Sequence, residues 1–271
     1  MKYDTVIVSQ ESLDSASPYA LVQSNIDVVN ALVGNYMRED EISENALCSY
    51  YVDFYLAQVN NGGFAQFLLN SNPSSKVMQF VARGLEAMHA PRHAALYAEN
   101  YADFIRLEEQ DLEIFMQDPY GEGSSVRSAL TQRDNAFYDL EREENLIELN
   151  STWLRHHPRL LALPPDRLNQ EIERLASTVS PAERQARIDL ARTYQPRYMK
   201  LIDRLCEESG HTLDRITAGD PSHRYNGNQV LAWHFLTNRG HFYMLDLDGV
   251  ASMYDAADQA LVAMIQAPAE L

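Results

Sequence analysis

The side chains in this chain that could do chemistry fall into three groups: amides, histidines and carboxylates. Asn60, Asn61 and Gln66 crowd around the pair Gly62-Gly63, with Phe64 and Phe67 beside them. Three amides at one bend can satisfy backbone groups where a helix ends, or they can line a small polar pocket. No nucleophile–base pair lies nearby. His156-His157 precedes a proline and has no further ligand at zinc spacing. His211, His223, His234 and His241 are spread along the C-terminal part and are expected to be isolated surface or strand histidines, although they could meet in space. Asp246-Leu247-Asp248-Gly249 opens like a calcium loop, but it continues through Val250, Ser252 and Tyr254 without the terminal glutamate. A hairpin turn explains it better. There is no phosphate loop, dinucleotide fingerprint or nucleophile elbow. The expectation is therefore no catalytic, cofactor-binding or metal-binding residue.

The carboxylates carry the stronger signal. Formal net charge is −17, with only three lysines. Residues 1–150 hold 24 acidic and 9 basic side chains, a balance of −15; residues 151–271 hold 15 and 13, a balance of −2. A field of that sign repels nucleic acid and attracts basic surfaces, so direct DNA or RNA binding is not expected. One helix spanning 91–117 would carry Glu99, Asp103, Glu109, Asp111 and Glu113, with Asp118 and Glu122 following. Its apolar face would hold Tyr97, Tyr101, Phe104, Ile105, Leu112 and Phe115, leaving Glu99, Asp103 and Glu113 opposite. Asp139, Glu141, Glu143, Glu144 and Glu148 form a second cluster. Carboxylates at i and i+4 stand roughly 6 Å apart along a helix, comparable with phosphates along a nucleic-acid strand. Such runs also serve simply as solvated faces. Glu108 would fall on the apolar face, where a carboxylate needs an arginine partner or a subunit contact.

The elements that must position these groups are mainly helical. Leu47, Tyr50, Tyr51 and Phe54 recur at helical spacing, Asn60 to Gly63 interrupts them, and Phe64, Phe67 and Leu68 resume. Two helical arms therefore meet at a sharp corner. Thr5-Val6-Ile7-Val8 reads as a strand, 19–37 as a helix opened by Pro18, and Ser43 as an N-cap. Helices are expected over the segment capped by Ser74 that carries Val77, Phe80, Val81 and Leu85, over 91–117, and over 125–156 with a break near Asn150-Ser151, then a proline-bearing linker over 158–165, then helices near 166–177 and over 181–209 with a kink at Pro196. Residues 230–254 read as a three-stranded antiparallel meander, followed by a helix over 256–266. The fold class is mainly α with a small C-terminal β meander, α+β overall. Its domains are an acidic helical unit at 1–157 and a mixed unit at 158–271. Cys48 and Cys206 lie among apolar residues and read as reduced core thiols, which with the lack of a membrane-spanning run or signal-peptide pattern fits a cytoplasmic address.

The run Asn60-Asn61-Gly62-Gly63-Phe64-Ala65-Gln66-Phe67, with Tyr50-Tyr51 before it, resembles the signature of a bacterial domain of unknown function best known from an acidic DNA-mimic protein. Val81 to Met88 and Pro91-Arg92-His93 resemble the helix and turn that follow in that family. The likeness spans about residues 40 to 150. It implies a helical, acidic, dimeric protein that occupies the DNA-binding surface of a basic partner, such as a helix-turn-helix transcription regulator. The family motif carries no catalytic residue. Two other readings remain open: an immunity or adaptor protein neutralising a toxin or enzyme through the same acidic surface, and an enzyme using the Asn60/Asn61/Gln66 corner.

Overall fold

The computed structural model describes residues 4–71, 75–117 and 125–268. They form two compact units, Met1–Pro181 and Ala182–Leu271.

In the first unit a short strand, β1 (Val6–Ser9), leads through α1 (Gln10–Asp14) into α2 (Pro18–Gly34). The long α3 (Glu44–Ser71) runs through the centre and is broken at Gly62-Gly63. Around it follow α4 (Ser75–Ala87), α5 (Pro91–Phe104), α6 (Glu109–Gln117), α7 (Ser125–Thr131), α8 (Asp134–Glu141) and α9 (Leu146–Arg155). The segment read as a proline linker instead contains β2 (Leu160–Leu163), which pairs in parallel with β1, Val6 opposite Leu160. After it α10 (Pro165–Ala176) turns Leu168, Ile172 and Leu175 toward the same apolar cluster as Val6, Leu21, Val29 and Leu154. The packing thus groups residues 158–181 with the first unit.

Two long helices of the sequence reading are broken. The 91–117 run stops at Phe104 and restarts at Glu109, with Arg106 and Leu107 donating three residues back in a tightened turn. The 125–156 run is three helices, broken at 132–133 and 142–145 and not near Asn150-Ser151, the last capped by Asn145, whose side chain accepts from the Glu148 amide at 3.0 Å. Gly84 permits close packing of α4 on α3: a Cβ there would lie 2.6 Å from Val52 Cγ2 and 2.9 Å from the Cys48 carbonyl oxygen. No helix among the described residues is long and apolar enough to cross a membrane.

The second unit contains most of α11 (Pro181–Tyr194), then α12 (Arg197–Ser209) and a five-stranded antiparallel meander. Its strands are β3 (Leu213–Tyr225), β4 (Asn228–Thr237), β5 (Gly240–Leu247), β6 (Val250–Asp255) and β7 (Leu261–Gln266), in that order across the sheet. Leu201, Ile202, Leu205 and Cys206 of α12 are buried with Phe235, Phe242, Met244, Ala251 and Met253 on one sheet face. Asp248 (φ 51°) and Gly249 (φ 77°) form the expected tight hairpin, and Asn226-Gly227 (φ 50° and 81°) forms another that the sequence reading passed over.

Three strands were therefore expected and five are present. β3 carries no strand pattern in the sequence because it is a largely polar edge strand containing Gly219 and Pro221. The expected C-terminal helix is β7. Its alanines favour a helix, but β6 offers an open edge, and Met253 and Ala251 pair with Ala263 and Ile265 there. The molecule is α+β, not all-α.

Candidate functional site

The Gly-Gly corner is built around buried rings. Tyr55 before the break meets Phe67 after it, with centroids 5.0 Å apart, and also Tyr97 at 5.2 Å and Phe137 at 5.5 Å. Such edge-to-face pairs add about 0.5–1.5 kcal/mol each beyond area burial. The chain must turn sharply to bring both arms onto this cluster, and Gly63 does so at φ 79°, ψ −178°, a region open essentially to glycine. The freed amide of Phe64 donates to Asp134 Oδ1 at 3.0 Å. Asp134 is the corner's keystone, and no sequence signal placed it there, 70 residues away. Burial raises its carboxyl above the usual range, opposed by the Phe64 amide and Arg127.

The amides do not play the parts expected of them. Asn60 and Asn61 are exposed with no hydrogen-bond partner among the described residues. Gln66 is buried, packs over Gly62 and donates to Gln58 Oε1 at 3.2 Å, an oxygen that also accepts from Asn70. A second unanticipated contact is His93, fully buried, with Nε2 2.9 Å from the Glu144 carbonyl oxygen and 3.1 Å from Glu141 Oε1. Its ring lies edge-on to Phe137, tying α5 to the α8–α9 connection.

Of the acidic residues expected to meet a partner, Asp118 and Glu122 lie outside the described residues, as does the side chain of Glu109. Arg133 gathers Glu99, 3.1 Å from its Nε, and Asp103, which also meets Arg106 at 3.5 Å. Asp139 pairs with Arg142 at 3.0 Å and Glu143 with Arg92 at 2.6 Å. Glu141 and Glu144 face His93, and Glu141 also accepts from the Leu146 amide. Asp111, Glu113 and Glu148 pair with no cation among the described residues. The row is not bare, yet pairs as exposed as Arg142–Asp139, at 77% and 71%, contribute only about 0–1 kcal/mol. Residues 91–157 still hold 14 Asp and Glu against 6 Arg and no Lys.

Glu108 contradicts its expectation. It sits exposed between α5 and α6 with no cation partner among the described residues, because the helix that would have placed it on an apolar face is broken there. Asp53, by contrast, is a half-buried carboxylate on α3 with no cation beside it among the described residues, and burial pushes its pKa up to about 6. Both cysteine thiols are free and buried, and burial raises Cys48 to about 12 and Cys206 to about 11.

Three of the four histidines of the second unit are not isolated. His223 of β3, His234 of β4 and His241 of β5 share the sheet face turned away from α12, with Tyr243 between them. Metal-ligating atoms of Asp220, His223 and His234 all lie within 4.8 Å of one another. His234 Nδ1 is 3.2 Å from His241 Nε2. Burial, with His241 and His223 beside it, pushes the His234 imidazole below its ordinary value. His211 stands apart, against Ser209 and Phe242. Asp246 is held by Arg197 at 2.8 Å, as suits a hairpin flank rather than a calcium loop.

The molecule is thus an acidic, helical unit pinned around a glycine corner, joined to a unit made of helices and an antiparallel sheet. Residues 40–157 match a family model described as DMP19-like protein. No curated protein and no solved structure matches the chain.

Proposed function

We propose that this protein acts by binding another protein, its acidic first unit occupying a basic groove that otherwise holds DNA. The observation that carries this reading is the similarity of residues 40–157 to the DMP19-like family, a segment that contains the greatest excess of carboxylates. The geometry supports it in one respect. Helices α5, α6, α8 and α9 present Glu99, Asp103, Asp111, Glu113, Asp139 and Glu148, and the α8–α9 connection presents Glu143, on side chains that are exposed or half-exposed, and the arginines among them are too few to neutralise the segment. A cationic groove exchanges those weak internal pairs for its own, as it would displace counterions from a duplex. The partner class is a basic DNA-binding protein of the kind a transcription regulator represents.

The test is retention of partners from a bacterial lysate on the immobilised full chain, at low and high salt, with duplex DNA as eluant. A DNA-binding protein released both by salt and by duplex DNA is the expected result. Retention of a nuclease or toxin that duplex DNA does not displace would replace this reading with neutralisation of an enzyme, and no salt-sensitive retention at all would end it.

A further inference from the structure

The open face of the C-terminal sheet is unrelated to the acidic surface, and its chemistry is of another kind. We propose that Asp220, His223 and His234 form a binding site for a divalent transition-metal ion of the zinc class. The inference stands independently of the proposed function above.

The reasoning begins with the strand pairing. Side chains alternate faces along a strand, so residues three apart, such as Asp220 and His223, should point to opposite sides. Here Asp220 is opposite Ala232 while His223 is opposite Val230: three steps along β3 answer two along β4. That single extra residue is a β-bulge, and it returns both side chains to one face. Pro221 sits inside the bulge, where the lack of an amide hydrogen breaks no ladder bond. Asp220 Oδ1 accepts from the Ser222 amide at 2.8 Å, which fixes the carboxylate and leaves Oδ2 free. His234 reaches the same spot from β4, giving the 4.8 Å cluster.

The donor set suits the ion. Two imidazoles and one carboxylate are the ligands that zinc and its neighbours prefer over magnesium or calcium, which favour oxygen alone. Bond lengths of about 2.0–2.2 Å to one centre require ligand atoms about 3.3 Å apart, so small side-chain rotations close the site. His241 adds what ligating histidines ordinarily have, a partner for the second ring nitrogen. With His234 Nδ1 donating to His241 Nε2, the lone pair of His234 Nε2 is left for the metal. All three ligands are half-exposed, so the ion can enter from solvent, and the open coordination positions remain for water.

The experiment uses the full chain without a histidine tag. Zn2+ and Co2+ are titrated against a chelating indicator, with Mg2+ as the contrasting ion, and Co2+ absorption reports the ligand field directly. We expect one equivalent of Zn2+ and none of Mg2+. His223→Gln, His234→Gln and Asp220→Asn should each weaken binding by at least ~10-fold, and His241→Gln by about 10-fold or more through loss of the partner on His234. His211→Gln and His156→Gln should leave it unchanged. A parallel measurement on the unaltered protein guards against misfolded variants: the imidazole nitrogen resonances of His223 and His234 should shift when Zn2+ is added. Absence of one-equivalent binding, affinity unchanged from the unaltered protein in the His223 and His234 variants, or imidazole shifts confined to other histidines would overturn the proposal.

Discussion

Replacing Gly63 with alanine should strike the corner in two ways at once. At φ 79°, ψ −178° a side chain is strained by about 1–3 kcal/mol. The added Cβ would also collide with Asp134 Oδ2 and lie 2.8 Å from its Cγ, so Asp134 must withdraw. The Phe64 amide then loses its acceptor on a residue with no exposed surface, which costs about 1–3 kcal/mol more. The total, about 2–6 kcal/mol, is a large part of the ~5–15 kcal/mol that holds an ordinary domain together. Urea unfolding followed by circular dichroism reads the change. A double-mutant cycle separates the two contributions: in an Asp134→Ala background there is no carboxylate to displace, so the alanine should cost only the backbone strain. Gly62→Ala is the control, because its φ of −166° is outside the left-handed region and its new Cβ would collide with the end of the Gln66 side chain and not with Asp134. If Gly63→Ala costs less than ~1 kcal/mol, or costs the same with Asp134 removed, Asp134 does not pin this corner.

Three further outcomes follow from the same structure. Asp53 has a folded-state pKa of about 6 against an ordinary 3.8, so its charge opposes folding above pH 6 and the penalty fades as pH falls toward 4. Asp53→Asn should therefore raise stability by about 1–2 kcal/mol near pH 7, after allowance for solvent screening, and by almost nothing near pH 3.5; an equal gain at both pH values would contradict the burial argument. Gly84→Ala places a methyl against Val52 and the Cys48 carbonyl, and its overpacking cost of about 1–3 kcal/mol should exceed the ~1 kcal/mol gain in helix propensity, leaving a lower thermal midpoint. Asn145→Ala removes the α9 cap and should cost about 1 kcal/mol, whereas Asn60→Ala and Asn61→Ala, exposed and without partners, should fall within ~0.5 kcal/mol of the unaltered protein.

Local pattern made some of this legible in the sequence, and distance hid the rest. The corner could be read because Asn60 to Gly63 interrupts two aromatic runs at helical spacing, and the Asp248-Gly249 hairpin because its dipeptide demands left-handed backbone. Asp134 could not be read: its role depends on an amide 70 residues earlier in the chain. The metal-ligand cluster was hidden for a related reason. Asp220 and His223 look like opposite faces of a strand until the bulge is known, and a bulge at Pro221 is a property of the pairing, not of either strand. The 256–266 segment was misread because alanine favours a helix locally, while the open edge of β6 decided the outcome. The carboxylate rows are expected on two long helical runs; the breaks at 105–108 and 142–145 redirect them, and Arg133 and Arg142 pair with their members.

Those arginines give the acidic surface a sharper test than charge counting does. Arg133 is 27% exposed and touches both Glu99 and Asp103, so it neutralises two carboxylates with one side chain. Arg133→Gln leaves the amide able to hydrogen-bond but takes the net charge from −17 to −18 and frees both acids. The stability change should stay near ~1 kcal/mol, since half-exposed ion pairs contribute little. Association with a cationic probe, an oligo-arginine peptide titrated by fluorescence anisotropy, should strengthen, and its dependence on salt should steepen as more charge pairs form on binding. Weaker binding would mean that Arg133 holds the two carboxylates in the arrangement the probe recognises. Unchanged binding would mean that the recognised face lies elsewhere on the first unit, with the unpaired Asp111, Glu113 and Glu148 as the next group to alter. Either of those results counts against a surface that works by summed charge alone.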